Sequence, residues 1–572
     1  MKMTYEKKEA VKNGVLRMVL VILSIVIAIL ALFVLILFAG SKAPWIYIFI
    51  HILGLFLVLG IYSSPRTSSI RMTWMIVIMA LPLFGTLLYV FIGSNAQSFK
   101  MRKRFEDIDK ILFPILPTGE EEARNAQARD LRLGGIVEYI RKQAGFPAYQ
   151  NTSVQYFDDA VKGIEAQKRD LAKAEKFIFM EYHAIEDSQS WHAIRDVLAE
   201  RAKAGVEVRV FYDDMGSLGF IDTDFIKRTE SFGIQCRVFN PFRPGLNVFL
   251  NNRDHRKITV IDGRIGYTGG YNLADEYFHI TEPYGFWKDT GVRLEGDAVQ
   301  SLTVMFLEMW NAISAMDKDD LDFTKYLAFS NAAKLLDNKS KVVSKDKVQK
   351  AEKERDRLTG KSEGYYLKME KGMIPDIRYV VSTEAFSFDQ SGFVQPYADS
   401  PLDNNHTGED VYISIAEAAQ KYAWFITPYL IITDEMCHAF SLAAKRGVDV
   451  RIITPGIPDK KLVYKLTRSY YNGLARNGVR IFEFTPGFCH AKMSVADDLM
   501  ATCGTINLDY RSLYHHFENG CLYADCQAVL DTKHDFEETF KQCNEVTDYY
   551  TNGRGAIMRL GHMLLRLISP LV

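Results

Sequence analysis

Three long apolar stretches occupy the N-terminal part of the chain. Residues 18–39, 45–62 and 73–92 contain no Asp, Glu, Lys or Arg, although Pro82 and Gly85 interrupt the last stretch. A helix of about 20 apolar residues crosses a hydrocarbon core of about 30 Å. The pattern therefore predicts two or three transmembrane helices within residues 1–98. A cleaved signal peptide is the alternative for the first stretch, and a buried helix or a re-entrant hairpin for the third.

Charged residues around these stretches give conflicting indications of orientation. Five basic residues among the first 17 favour a cytoplasmic N-terminus, and three spans would then place the rest of the chain outside. Lys100, Arg102, Lys103 and Arg104 instead favour an internal position. The seven cysteines, an odd number, indicate reduced thiols rather than a disulfide framework. We expect a multi-pass protein of the cell membrane whose catalytic region faces the cytoplasm.

Beyond residue 150 the same alternation of helical and strand-like segments occurs twice. Residues 202–214 read AKAGVEVRVFYDD and residues 444–456 read AKRGVDVRIITPG, each with a helix end, a glycine and an apolar strand. Such alternation predicts an α/β fold built from two similar halves. The expected divisions are a membrane anchor at 1–98, a charged connector at 99–150, a first half at 151–330, a charged solvated insertion at 331–375, a second half at 376–553 and a basic amphipathic tail at 554–572. The tail fits either a bilayer surface or a face of the second half.

A short polar pattern, H-x-K-x4-D, lies at the matching place in each half. It reads HRKITVID in the first half and HAKMSVAD in the second, and it contains His255, Lys257, Asp262, His490, Lys492 and Asp497. An asparagine follows each copy at the same spacing, Asn272 in the first and Asn507 in the second. Two copies with matching continuations indicate an internal duplication around a chemical site.

The chemistry of the pattern follows from its spacing. In a strand, side chains two residues apart point to the same face, so each copy presents one imidazole and one ammonium together. Two copies brought together offer two histidines and two lysines, which suit an anionic phosphate diester. One imidazole can attack phosphorus while the other protonates the leaving alkoxide. The two aspartates are candidates for catalysis or for fixing the turn after each strand. A metal site is disfavoured because an adjacent ammonium repels a cation.

Longer segments resemble the phospholipase D superfamily, and in particular its bacterial cardiolipin synthase branch. The resemblance rests on NNRDHRKITVIDGRIGYTGGYNLADEY, FWKDTGVRLEGDAV, ITPYLI and GTINLDYRSLYHHFENG, and it extends from about residue 60 to the end of the chain. It implies one active site formed between the two halves. It also implies that His255 is the nucleophile and His490 the acid and base, with the reverse assignment left open. Asp289 and Glu518 match the family's acids that orient a histidine of the partner half. Gly270 and Thr505 depart from the family pattern, where serine is common.

The resemblance implies transfer of a phosphatidyl group between two phosphatidylglycerol molecules, without cofactor or metal. The expected partners are phosphatidylglycerol and other anionic membrane lipids, and self-association stays open. A phospholipase D-type hydrolase and another phosphatidyltransferase use the same residues and are the alternatives. A membrane-tethered nuclease is disfavoured because 69 basic residues balance 70 acidic ones, which leaves no overall positive field for a polyanion. A non-enzymatic scaffold is disfavoured because both motifs are intact.

Overall fold

The computed structural model describes residues 5–43, 45–64, 66–93, 99–241, 252–313, 323–327, 392–403, 405–552, 561, 565–567 and 569. The insertion expected at 331–375 lies outside these residues. Helices form the part that precedes the sheets. They are α1 (Tyr5–Lys42), α2 (Trp45–Tyr62), α3 (Ser68–Ala80), α4 (Pro82–Leu88), α5 (Phe99–Leu112), α6 (Glu120–Arg129) and α7 (Leu131–Tyr139).

The expectation of a multi-pass membrane protein with its catalytic region facing the cytoplasm is wrong, because no helix within the described residues is both long and apolar enough to cross a bilayer. The third expected span is divided at Leu81 into the 13-residue α3 and the 7-residue α4. At about 1.5 Å per residue, α3 reaches about 20 Å and falls short of a hydrocarbon core of about 30 Å.

The first sheet contains seven strands in the order β1-β9-β7-β6-β2-β3-β4. Their bounds, with those of the short β5 and β8, are β1 (Thr152–Phe157), β2 (Phe177–Tyr182), β3 (Glu207–Asp213), β4 (Gln235–Phe239), β5 (Arg253–Asp254), β6 (Lys257–Ile261), β7 (Ile265–Gly269), β8 (Phe286–Lys288) and β9 (Gly291–Gly296). Strands β2, β3 and β4 are parallel, whereas β6, β7, β9 and β1 continue the sheet with antiparallel pairs. The helices of this part are α8 (Ala160–Leu171), α9 (Gln189–Lys203), α10 (Phe225–Ser231) and α11 (Val299–Ala312).

The second sheet follows the same order, β10-β19-β17-β16-β11-β13-β14, with β20 added at the end. The strands of this part are β10 (Phe393–Asp399), β11 (Tyr422–Ile426), β12 (Leu430–Ile431), β13 (Asp449–Pro455), β14 (Arg480–Phe484), β15 (Gly487–Cys489), β16 (Met493–Ala496), β17 (Met500–Gly504), β18 (Leu508–Asp509), β19 (His516–Ala524) and β20 (Cys543–Glu545). Its helices are Thr407–Ala418, Asp434–Lys445, Lys461–Ala475, Tyr510–Tyr514, Gln527–Phe540 and Thr547–Thr551. The predicted α/β fold with two similar halves is confirmed by this repeated strand order.

The two halves exchange short strands reciprocally. Strand β5 of the first half pairs in parallel with β19 of the second, and β15 of the second half pairs in parallel with β8 of the first. Helix α11, whose fourteen residues are all buried, contacts strands of both sheets. Burial of a whole helix requires apolar side chains on every face, which VQSLTVMFLEMWNA largely supplies. The halves are therefore joined by a continuous core and by backbone pairing on both sides of the junction.

The N-terminal helices and the described part of the tail contact the sheets. Arg17 of α1 forms an ion pair with Asp214 at 2.5 Å, at the end of β3. In the tail, the Ser569 hydroxyl lies 3.0 Å from the Tyr470 hydroxyl, and the Arg566 guanidinium stacks 4.4 Å from the Tyr470 ring. The described tail residues thus pack on the second half, which was one of the two alternatives for 554–572.

Candidate active site

Both motif histidines lie at the junction between the halves, directly before a motif strand. The backbone N–H of His255 donates to the Phe517 carbonyl at 2.9 Å, and that of His490 donates to the Lys288 carbonyl at 2.8 Å. These bonds extend the β5–β19 and β15–β8 pairings by one residue. Each histidine is therefore held in place by a strand of the opposite half.

Each imidazole also meets a carboxyl group from the opposite half. His255 Nδ1 lies 2.9 Å from Glu518 Oε2, and His490 Nδ1 lies 2.7 Å from Asp289 Oδ2. The carboxyls are fully buried, with Glu518 at 0% and Asp289 at 1% exposure. A carboxylate in this position accepts from Nδ1–H and leaves the Nε2 lone pair free for attack or proton transfer. The structure thus brings together the four residues that sequence resemblance had paired across the halves.

The two lysines complete a compact polar cluster. Lys257 Nζ donates to the His255 carbonyl at 2.7 Å, and Lys492 Nζ donates to the His490 carbonyl. Lys492 Nζ also lies 2.9 Å from His490 Nε2. Both lysine side chains point to the same side of their strand as the histidine two residues earlier, as expected from strand periodicity.

Burial makes both imidazoles poor bases. Burial and the Lys257 charge hold the pKa of His255 well below its usual range. Burial and the Lys492 charge lower the pKa of His490 to about 4, although the Asp289 carboxylate acts to raise it. Both histidines are therefore neutral at pH 7. A bound phosphate diester adds negative charge, so it raises the pKa of both imidazoles.

The carboxyls and the lysines differ between the halves. Burial acts to raise the pKa of Asp289, but His490 and Lys492 outweigh it and the pKa falls below its usual value. Burial raises the pKa of Glu518 well above its usual range, even though Lys257 opposes the change. Burial also lowers the pKa of Lys257 to about 7 and that of Lys492 to about 8. His490 therefore faces an ionised carboxylate, and His255 faces a carboxyl that resists ionisation.

The motif aspartates lie at the opposite end of their strands from the histidines. Asp262 accepts from the backbone N–H groups of Glu175, Lys176 and Phe177 at 2.7–2.8 Å. Asp497 accepts in the same way from residues 420–422, at 2.7–3.0 Å. Both have positive φ, at 53° and 54°. The structure does not bring Asp262 and Asp497 to the imidazoles, and their contacts support the interpretation that they fix the turn.

The two asparagines after the motifs are buried near the site without matching contacts. Asn272 Oδ1 accepts from the Ala184 N–H at 3.1 Å, and its Nδ2 donates to the Tyr277 hydroxyl at 2.8 Å. Asn507 is 6% exposed, and its Oδ1 has no hydrogen-bonding partner among the residues that the structure describes. Asn272 therefore shapes the loop behind His490, and Asn507 has no matching structural contact through its oxygen.

The departures from serine at Gly270 and Thr505 have structural reasons. A Cβ at Gly270 would lie 2.0 Å from Asp289 Oδ1, so any side chain there would displace the carboxylate that binds His490. Thr505 Oγ1 donates to Glu518 Oε2 at 2.5 Å. Gly270 therefore leaves room for the Asp289 carboxylate, and Thr505 adds a hydrogen bond to the Glu518 carboxyl.

Sequence reasoning missed the side chains that surround the two imidazoles. His183 and His516 flank His255, with ring centroids 4.8 Å and 5.3 Å away. The signal for His516 was present, because His516 and Glu518 are two residues apart in a strand and share a face. Around His490 the neighbours are aromatic instead, with the rings of Tyr277, Trp287 and Phe488 at 5.3, 5.4 and 5.9 Å.

One group in the site has the composition of a metal-binding set. Among the described residues, potential ligand atoms of His255, His516 and Glu518 lie within 4.8 Å of one another. All three residues are buried, with exposures of 7%, 7% and 0%. Two imidazoles and a carboxylate suit a borderline cation such as Zn²⁺ better than they suit Mg²⁺ or Ca²⁺.

Comparison with known proteins identifies the family. Residues 168–310 and 412–543 match the model of the cardiolipin synthase, phospholipase D-like domain. The chain belongs to this phospholipase D-like family. A protein of Streptococcus mutans is 37% identical over 515 residues, which cover 90% of this chain and 99% of the relative. Cardiolipin synthase 2 of Bacillus cereus is 28% identical over 514 residues, covering 90% of this chain and 88% of that protein.

Solved structures agree with the family at the level of fold. The phosphatidylserine synthase of Haemophilus influenzae superimposes with a TM-score of 0.50 and 14% identity, covering 76% of this chain and 97% of that one. The chain therefore shares its overall fold with that enzyme.

Proposed function

We propose that this protein is a cardiolipin synthase. It transfers a phosphatidyl group from one phosphatidylglycerol to the terminal hydroxyl of a second, and glycerol leaves. The observation that carries the proposal is the reciprocal pairing of two buried imidazoles with carboxyls of opposite halves, each beside a lysine. The named cardiolipin synthases among its relatives support cardiolipin as the product.

In the first step His255 attacks phosphorus and His490 acts as the acid. The pKa of His255 is held well below its usual range, so its Nε2 keeps a lone pair. His490 faces the ionised Asp289, which stabilises an imidazolium as the substrate's negative charge enters the site. A P–N bond forms at His255, the P–O bond to glycerol breaks, and the glycerol oxygen takes the proton from His490.

In the second step the roles of the groups reverse. His490, now neutral, takes the proton from the terminal hydroxyl of the acceptor lipid, and that oxygen displaces His255 from phosphorus. Lys257 and Lys492 stabilise the charge on the nonbridging oxygens in both transition states. One diester is exchanged for another, so the reaction needs no nucleoside triphosphate. The lysine charges supply the electrostatic stabilisation that metal ions supply in other phosphoryl-transfer sites.

Transfer is favoured over hydrolysis by the surroundings of the site. Both imidazoles are 7% exposed, and aromatic rings surround His490, the residue that activates the acceptor. An apolar wall beside the base favours a lipid alcohol over water, because water gains less from apolar contact. A hydrolase remains the second candidate, because it would use the same catalytic groups.

The test is mass spectrometry of lipids after incubation of the full-length protein with phosphatidylglycerol vesicles and EDTA. We expect cardiolipin and glycerol in equal amounts, and loss of both in His255→Ala. The exposed His438→Ala serves as the matched control and should keep the wild-type rate. Phosphatidic acid as the main product would replace the proposal with a hydrolase, and unchanged lipid would remove it.

The nucleophile is identified by trapping the intermediate. The protein is incubated with labelled phosphatidylglycerol, and the reaction is stopped without acid. The labelled phosphohistidine should then lie in a peptide that contains residue 255. A label on a peptide containing residue 490 would reverse the two assignments and leave the proposed activity intact.

A further inference from the structure

His516 is a buried histidine in the site that the proposed reaction does not use. It is 7% exposed, and neither of its ring nitrogens has a hydrogen-bonding partner within the part of the chain that the structure describes. An unpaired imidazole at this depth is unfavourable unless a ligand or solvent satisfies it. Glu518 Oε1 lies 3.4 Å from His516 Nδ1 and likewise has no hydrogen-bonding partner among the described residues.

The unpaired atoms of His516 and Glu518 lie beside the His255 imidazole. Glu518 stands between the two imidazoles, with Oε2 at 2.9 Å from His255 Nδ1 and Oε1 at 3.4 Å from His516 Nδ1. Ligand atoms bound to one tetrahedral Zn²⁺ at about 2.0–2.1 Å are separated by roughly 3.3 Å. His183 cannot join them through Nδ1, because that atom donates to the Asp254 carbonyl at 2.6 Å. Because the potential ligand atoms of His255, His516 and Glu518 lie within 4.8 Å of one another, small side-chain rotations bring them onto one cation with one open position.

We propose that His255, His516 and Glu518 bind a transition-metal cation of the Zn²⁺ class, and that binding switches the enzyme off. The metal-binding part of this inference is independent of the reaction, whereas the inhibitory part rests on the proposed function. Three protein ligands with an open fourth position are the usual arrangement for an accessible, exchangeable zinc ion.

Inhibition follows from the tautomers of His255. In the active arrangement Nδ1 carries the proton and faces Glu518, so the Nε2 lone pair is available for phosphorus. A neutral imidazole has one lone pair in the ring plane, and coordination through Nδ1 consumes it. The proton then resides on Nε2, which can no longer attack. The cation also takes Glu518, the carboxyl that selects the active tautomer.

Neighbouring charges limit the affinity of the site. Lys257 and Lys492 lie close to the cluster, and Arg253 and Arg511 act on His516. Their positive charge opposes a cation, and only one carboxyl compensates for it. We therefore expect a site that fills and empties with metal availability and that EDTA clears, rather than one that holds a permanent ion.

The first measurement is the absorption spectrum of Co²⁺ added to the full-length protein. We expect visible d–d bands of a tetrahedral nitrogen and oxygen set, without the near-ultraviolet band of a thiolate ligand. The bands should disappear in His516→Ala and in His516→Asn and persist in His438→Ala, whose exposed histidine controls for surface binding. Two substitutions at residue 516 guard against a folding defect in one of them. Bands of equal strength in both variants would refute the site whatever the enzyme's activity.

The second measurement is the rate of cardiolipin formation against added Zn²⁺. Wild type should lose activity and regain it with EDTA. With each rate expressed relative to the same protein's rate in EDTA, His516→Ala should need about tenfold more Zn²⁺, or more, for half-inhibition. Half-inhibition at the same Zn²⁺ concentration in both proteins would overturn the regulatory claim. If no lipid turns over in any protein, the proposed function fails, and the Co²⁺ spectra still decide the metal site.

Discussion

Substitution of Asp289 by asparagine separates charge and tautomer effects at His490. Asp289 Oδ1 accepts from the Thr290 N–H at 2.9 Å, while Oδ2 faces His490 Nδ1 at 2.7 Å. An asparagine must keep its oxygen toward Thr290, since an NH₂ group there would meet another donor. Its NH₂ group then faces Nδ1 and donates to it. The proton of neutral His490 then resides on Nε2, which has no lone pair left to accept a proton from the acceptor lipid.

The same change at Glu518 has a smaller effect. Glu518 Oε2 accepts from Thr505 Oγ1 at 2.5 Å and lies beside His255 Nδ1, whereas Oε1 has no hydrogen-bonding partner within the described part of the chain. A glutamine can place its oxygen at the first position and its NH₂ group at the second. The active tautomer of His255 is kept. Burial already raises the pKa of Glu518 well above its usual range, so a neutral amide resembles the native carboxyl.

These contacts set the expected magnitudes. A wrong tautomer in a comparable carboxylate–histidine pair lowers kcat by about 10⁴-fold, or about 5.5 kcal/mol. We expect Asp289→Asn to lower kcat by about 10³- to 10⁴-fold. Glu518→Gln replaces a carboxyl that resists ionisation by a neutral amide and keeps the hydrogen bond to His255, so its kcat should fall by no more than about tenfold.

The assay measures initial rates of cardiolipin formation from phosphatidylglycerol vesicles in EDTA, with circular dichroism as a check on folding. Thermal unfolding of both variants should resemble that of the wild type, because each substitution conserves shape. A loss in Glu518→Gln that equals or exceeds the loss in Asp289→Asn would refute the reasoning from amide orientation. Retention of more than about one-tenth of the activity in Asp289→Asn would refute it as well.

Other predictions follow from single contacts. The pKa is about 7 for Lys257 and about 8 for Lys492, so both lysines lose their charge as the pH rises through this range. The value of kcat/KM should fall over the same range. A flat pH profile up to pH 10 would contradict the role given to the two charges. Asp262→Ala and Asp497→Ala each leave three backbone N–H groups without their acceptor. Each should lower the free energy of unfolding, measured in urea, by about 2–4 kcal/mol. The rate per folded molecule, measured by active-site titration, should stay unchanged. Gly270→Ala places a Cβ 2.0 Å from Asp289 Oδ1 and so misaligns the carboxylate that faces His490. The transfer rate should fall by about 10²-fold or more, and a wild-type rate would contradict this contact.

Several features of the site were predictable from local sequence spacing. The H-x-K pattern places His255 with Lys257, and His490 with Lys492, because strand side chains alternate with period 2. Duplication of the pattern predicted two similar halves, and both sheets show the same strand order. The acids at 289 and 518 were predicted only through family resemblance, since nothing in their local sequence indicates which half they contact.

The wrong prediction of membrane spans came from the apolar composition alone, without the helix boundaries. The apolar stretches predicted membrane spans, but the break at Leu81 shortens the third, and no described helix satisfies the requirement for crossing a bilayer. The sequence left the motif aspartates as candidates either for catalysis or for fixing the turn. Their carboxylates bind backbone N–H groups at the far end of the strand, which favours the second interpretation.

The sequence by itself determined the reactive groups, their pairing on strands and the repeated α/β order, because these depend on residues close together in the chain. Only the tertiary structure decided which groups face each other across the halves. The β5–β19 and β15–β8 pairings bring His255 to Glu518 and His490 to Asp289 over more than 200 residues of chain. The same pairing places His516 beside His255 and aromatic rings beside His490. Burial at that junction then sets the pKa values, since desolvation depends on packing that no local pattern encodes.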